Sequence, residues 1–73
     1  MALHDLPSPM TGTVKEVLVS VGESVGVGHE LLILESMKME LPVEAERAGT
    51  IAEVLVEPGQ RVEEGDLLLR LEG

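Results

Sequence analysis

Residues 12–35, GTVKEVLVSVGESVGVGHELLILE, return at residues 49–72 as GTIAEVLVEPGQRVEEGDLLLRLE, with an offset of 37 and no gap. Gly12/Gly49, Thr13/Thr50, Glu16/Glu53, Val17/Val54, Leu18/Leu55 and Val19/Val56 are identical pairs. So are Gly22/Gly59, Val25/Val62, Gly28/Gly65, Leu31/Leu68, Leu32/Leu69, Leu34/Leu71 and Glu35/Glu72, making 13 of 24 positions. Two copies are too few for a solenoid, which needs about three units or more. Neither copy is large enough to enclose a core, so the two are expected to pack together about a pseudo-two-fold axis.

Each copy reads as strand. Val, Leu, Ile and Thr dominate, and apolar segments of four to eight residues end at Gly or Pro. The pattern predicts strands over Thr13–Val21, Leu31–Glu35, Thr50–Glu57 and Leu67–Glu72. Segments before each copy, Leu3–Ser8 and Glu40–Glu46, add one strand apiece. Short strands around Val25 and Val62 bring the total to eight. The halves are residues 3–36 and 40–73 of one domain, 1–73. Pro7, Pro9, Pro42 and Pro58 exclude long helices and suit sheet edges or turns. Leu31–Leu34 has the composition of a buried helical turn, but it is short and lies between Gly28 and Pro42, which favours strand. Gly22, Gly28, Gly59 and Gly65 are placed to supply positive φ at turns, with Val25 and Val62 dropping into the core between them. Gly26-Val27-Gly28 is half of a dinucleotide fingerprint. Leu31 stands where the third glycine belongs and no helix follows, so the structural reading prevails.

Composition narrows the function. The chain has 73 residues and a net charge of −9, with no Phe, Trp, Tyr or Cys. An acidic surface repels phosphates, and there is no ring on which to stack a base, which argues against nucleic acid and anionic membrane surfaces. Without Cys there is no disulfide, thiol catalysis or thiolate metal site. No apolar run approaches the ~18 residues of a membrane helix, and no basic segment followed by an apolar one opens the chain, so a cytoplasmic location is expected. A chain this small has little left over for a pocket of positioned acids and bases, so a non-catalytic module serving larger enzymes is expected. Met1 stands almost directly at the domain, which favours an independent small protein over an excised fragment.

The repeat isolates Ser36-Met37-Lys38-Met39 as the link between the copies. Its counterpart after the second copy is the chain end at Gly73. The link should therefore be a hairpin tip, with the termini at the symmetry-related end. As a turn it is poorly chosen, because two-residue hairpins favour Asn-Gly or Gly-x. Two exposed Met side chains waste apolar surface unless something packs on them, and Met is an adaptable contact residue. A plain solvated hairpin with a surface lysine is the alternative. The only other lysine, Lys15, falls mid-strand and reads as a plain solvent-facing residue.

Glu35-Ser36-Met37-Lys38-Met39-Glu40 resembles the Glu-Ala-Met-Lys-Met attachment motif of biotinyl carrier domains. Pro9-Met10-Thr11-Gly12-Thr13-Val14 and the paired Gly-x-x-Val-x-x-Gly turns are similar to the same biotinyl/lipoyl attachment family, from about Leu6 to Leu71. The resemblance implies an all-β fold: a flattened β-barrel, or barrel-sandwich hybrid, of two four-stranded antiparallel sheets with internal pseudo-two-fold symmetry. It implies that Lys38 is biotinylated by a biotin protein ligase, with Met37 and Met39 flanking it for ligase recognition and Glu35, Ser36 and Glu40 as hairpin context. It further implies that the chain carries carboxybiotin between biotin carboxylase and carboxyltransferase sites. Ser36 replaces the family's Ala, a small-for-small change. The gapless register leaves no room for the inserted "thumb" of some acetyl-CoA carboxylase carriers, so the resemblance is to the thumbless type.

The chemistry at Lys38 has a physical side. An amine attacks only when neutral, and a free Lys has a pKa of roughly 10.4. Glu35 and Glu40, flanking Lys38, are expected to favour its charged form, so a ligase must supply both deprotonation and an activated acyl group. Lipoyl carriers share the hairpin lysine but present Asp-Lys-Ala, so a lipoyl carrier is the first alternative. An unmodified structural barrel-sandwich is the second. His4 and His29 fall in different segments and read as solvated residues rather than metal ligands. Glu63, Glu64 and Asp66 read as a solvating acidic turn. Arg47, Arg61 and Arg70 are scattered and expected to pair with nearby acids at small benefit. Ser36 beside Lys38 is not a Ser-Lys dyad, because a tip lacks the burial that lowers a lysine pKa.

Overall fold

The computed structural model describes residues 2–73; Met1, the first residue of the expected domain, lies outside the described residues. Eight strands follow in order: β1 Leu3–Pro7, β2 Gly12–Val17, β3 Ser24–Val25, β4 Glu30–Ser36, β5 Met39–Glu44, β6 Gly49–Val54, β7 Arg61–Val62 and β8 Leu67–Glu72. They form two four-stranded antiparallel sheets, ordered β1-β8-β6-β3 and β5-β4-β2-β7. An offset of 37 carries one sheet order onto the other. Each sheet takes its central pair of strands from one copy and both edge strands from the other.

The core follows the same offset. Val14/Ile51, Val19/Val56, Val25/Val62, Leu31/Leu68, Leu32/Leu69 and Leu34/Leu71 are all buried. Leu34, Leu32, Leu68 and Leu69 are wholly inaccessible, and burying a side chain of this size contributes about 1.5–3 kcal/mol. Backbone bonds between the copies also come in pairs. The Val14 N–H donates to the Gln60 carbonyl at 2.8 Å and the Ile51 N–H to that of Glu23 at 2.9 Å. Ser8, the buried polar residue, donates its hydroxyl to the Met10 carbonyl at 2.6 Å, where the other copy has Ala45.

Two predicted strands end early. The β2 strand stops at Val17 rather than Val21, and β6 stops at Val54 rather than Glu57. The apolar pattern continues past both points, since Val19 and Val56 are buried, but the backbone has left the ladder to turn. Side chains hold these turns: Glu23 accepts the Ser20 N–H at 3.1 Å and Gln60 accepts that of Glu57 at 3.2 Å. The Leu31–Leu34 run is strand, as expected. Its adjacent Leu31 and Leu32 are both buried because the register slips between Glu30 and Leu32, which breaks strict alternation. Pro7 and Pro42 lie on the edge strands β1 and β5, where a missing N–H costs least. The φ angles of Gly22, Gly28, Gly59 and Gly65 lie between 85° and 93°.

Candidate functional site

Strands β4 and β5 meet in a hairpin in which Leu34 faces Leu41, Glu35 faces Glu40 and Ser36 faces Met39. Met37 and Lys38 make the turn, with φ of 51° and 67°. Positive φ at both central positions is the requirement of the tight hairpin turn whose twist matches its strands. No other non-glycine residue described has positive φ. A left-handed residue with a side chain costs about 1–2 kcal/mol, so the tip carries strain that Asn-Gly would avoid. The side chains, not the turn, therefore account for the choice of residues. Met37 is 92% exposed and Met39 73%. Lys38 is exposed between them, and no ion pair holds its ammonium among the described residues.

Glu40 departs from expectation. Its carboxylate does not attend Lys38 but pairs with Lys15 on β2, reaching across β4. The plain solvent-facing Lys15 of the sequence reading is thus half of an ion pair at the base of the tip. Its ammonium is held above the ordinary lysine value, chiefly by the hydrogen bond and charge of Glu40, then by the charges of Glu35 and Glu16. Glu35 is exposed, and Ser36 is half-buried beside it.

Gly12 matters for a reason that sequence reasoning missed. A Cβ there would lie 2.7 Å from the Glu35 carbonyl oxygen, and one at Gly49 would lie 2.5 Å from that of Glu72. The paired backbones approach too closely for any side chain, at the base of the tip in one copy and near the termini in the other. The identity of Gly12 and Gly49 in the repeat was the available signal. Beside the tip lies a shallow concavity lined by Thr11, Thr13, Ser36 and Arg61.

The remaining polar residues divide. Arg70 pairs with Asp5 and with Glu53, each at 3.1 Å. Arg47 instead reaches the His4 ring at 2.9 Å, and Arg61 has no ion pair among the described residues. The Glu63–Asp66 turn does more than solvate. Asp66 accepts the Glu63 N–H at 2.8 Å, and the Thr11 hydroxyl donates to the Glu63 carboxylate while accepting the Glu64 N–H. His29 Nε2 lies 3.7 Å from a Glu23 carboxylate oxygen. Among the described residues no three potential metal ligands come together, and no helix is long and apolar enough to cross a membrane.

The tip therefore offers one primary amine on a long stem, two flexible apolar neighbours and no base to activate it. Such a site suits covalent attachment of an acyl group by another protein. Comparison with known proteins is consistent in kind. A family described as "Biotin-requiring enzyme" matches residues 4–71. The biotin carboxyl carrier protein of Streptococcus mutans is 47% identical over 47 residues, which is 64% of this chain and 36% of that protein's own length. A solved single-chain, multi-domain long-chain acyl-CoA carboxylase superposes with a TM-score of 0.90 and 38% identity, over 97% of this chain and 7% of that one. The lipoyl domain of the Azotobacter vinelandii 2-oxoglutarate dehydrogenase complex superposes with a TM-score of 0.81 and 31% identity, over 94% of this chain and 95% of that one.

Proposed function

We propose, since this chain belongs to the biotin-requiring enzyme family, that it is a biotin carboxyl carrier module with Lys38 as its attachment point and no catalytic activity of its own. One observation carries the assignment: an unpaired, exposed lysine between two exposed methionines, on a turn whose geometry those residues strain. Solvent gives no reason for Met at either flank. A ligase surface packing on Met37 and Met39 does. The residues fit an attached biotin, since Lys38 projects a primary amine where an amide to a carboxylic acid meets no obstruction from the sheets. Biotin, when bound, supplies the ureido nitrogen that accepts a carboxyl group.

The chain's own contribution is presentation. Nothing at the tip acts as a base, so a biotin protein ligase supplies deprotonation and the activated acyl group. Once the amide forms, Lys38 loses its charge and becomes a flexible arm on a stiff hairpin. Tethering makes each visit to a biotin carboxylase or carboxyltransferase site intramolecular, at effective concentrations of order mM. The carboxylation and transfer chemistry belongs to those partner enzymes. The relatives named as a biotin carboxyl carrier protein and a long-chain acyl-CoA carboxylase support this partnership.

The fold does not separate biotin from lipoyl carriers, because a lipoyl domain superposes on nearly the whole chain. The discrimination rests on Met37 and Met39. Co-expression with a biotin protein ligase, and separately with a lipoyl ligase, followed by intact mass, tests it. A biotin adduct that is lost in Lys38→Arg and Lys38→Ala, with unchanged circular dichroism, is the expected result. A lipoyl adduct without a biotin adduct, or biotin retained in Lys38→Arg, overturns the assignment.

A further inference from the structure

The Lys15–Glu40 ion pair spans β4, which lies between β2 and β5 in their sheet. A bulge in β2 makes that reach possible. The register passes from Val14 opposite Leu34 to Glu16 opposite Ile33, leaving Lys15 as the extra residue. Bulges re-aim side chains in this way. The second copy has the same bulge: Ile51 faces Leu71, Glu53 faces Arg70, and Ala52 is the extra residue. The counterpart of Glu40 in the repeat is Leu3. Where the chain ends, the fold keeps the same bulge with Ala52 and Leu3 at these two positions, and the charges there are placed differently, on Arg70 with Asp5 and Glu53. So exposed a pair as Lys15–Glu40 adds little to stability, and the second copy shows that the bulged position itself needs no charge.

We propose that Lys15 and Glu40 form a specificity device of the tip: each withdraws the other, Lys15 as a competing amine and Glu40 as a competing partner for the Lys38 ammonium. Lys38 is left as the one lysine available to an acylating agent. The inference rests on reading Lys38 as an acyl acceptor, but the competition it describes is general chemistry. In acylation a neutral Nζ attacks the carbonyl carbon of an activated ester. A C–N bond forms, the bond from that carbon to the leaving oxygen breaks, and the amine's proton passes to buffer. Only the neutral amine has the lone pair, and a hydrogen-bonded carboxylate keeps an ammonium protonated. Lys15 is so held, by Glu40 first and then by Glu35 and Glu16. Glu40 stands two positions from Lys38 and, engaged with Lys15, does not hold the tip ammonium.

The test needs no ligase. The unmodified chain is treated with limiting biotin N-hydroxysuccinimide ester at neutral pH and low salt, and site rates are read by peptide mass spectrometry. Lys38 is expected to react several-fold faster than Lys15. Glu40→Gln is expected to raise the rate at Lys15 about two- to five-fold. Lys15→Ala is expected to slow Lys38 about two-fold, and Lys15→Arg to keep it at the wild-type rate, because arginine retains the pair without being acylated. Salt at about 0.5 M should draw the Lys15 and Lys38 rates together by screening. Equal rates at the two lysines in the wild-type chain, or an unchanged Lys15 rate in Glu40→Gln, overturns the proposal. If chemical selectivity holds while ligase biotinylation fails, the carrier assignment falls and the device stands.

Discussion

At the scale of single residues, the tip trades stability for presentation. Met37 and Lys38 occupy a backbone conformation that Asn-Gly adopts with less strain. Met37→Asn combined with Lys38→Gly should therefore stabilise the chain by about 1–3 kcal/mol, seen as a higher urea midpoint, while removing the acceptor amine. A lower midpoint would mean that the two side chains stabilise the turn and that no strain is held there. Lys15 offers a second test. Its folded-state pKa is raised, so the stabilisation from its pair with Glu40 is present in full below the unfolded value and fades as pH rises through the folded one. Thermal melts of the wild type and Lys15→Met should differ slightly, most at neutral pH, and converge at alkaline pH beyond the ordinary lysine range. A difference that persists undiminished at high pH would show that packing, not charge, separates them.

At the scale of elements, the close approach of β2 to its sheet neighbour β4 fixes the base of the hairpin. Gly12 permits that approach, since its absent Cβ leaves room for the Glu35 carbonyl. Gly12→Ala should cost about 1–3 kcal/mol, because the atom met is backbone and cannot rotate away. Ligase turnover on the folded fraction should fall too, as the Glu35 end of β4 is displaced. Gly49→Ala should cost a similar amount near the termini, where Glu72 is met instead, without altering ligase turnover. Equal effects of the two on turnover would show that the tip does not depend on its neighbouring strand β2. Turn glycines were legible in the sequence from their spacing. Gly12 and Gly49 showed only as a repeat identity, because nothing in a single strand reveals how closely a neighbouring backbone will approach it.

At the scale of the whole molecule, the copies are interlocked rather than side by side. The sheet that carries the tip takes β4 and β2 from the first copy and β5 and β7 from the second. Neither copy alone keeps a sheet with its edges covered or a core closed on both sides. Separate peptides 1–37 and 38–73 should each be disordered by circular dichroism, and the intact chain should unfold in one cooperative transition. Strand signal from either peptide alone would mean that a copy folds independently. The interlock also explains how so small a chain, without disulfides or aromatic residues, presents a stiff hairpin: the strands beside the tip are held by both halves.

The sequence by itself determined the strand count, the two-copy organisation, the turn glycines and the position of Lys38 between methionines. All of these depend on residue type and spacing along one chain, and a gapless repeat of 37 residues displays them directly. Only the tertiary structure decided that Glu40 serves Lys15, that Thr11 binds the Glu63–Asp66 turn and that Arg70 joins Asp5 to Glu53. Those partners are separated along the chain and meet only through strand order and bulge register. A side chain's partner depends on which strand lies next to it and on a one-residue slip in pairing, and neither is written in the local pattern.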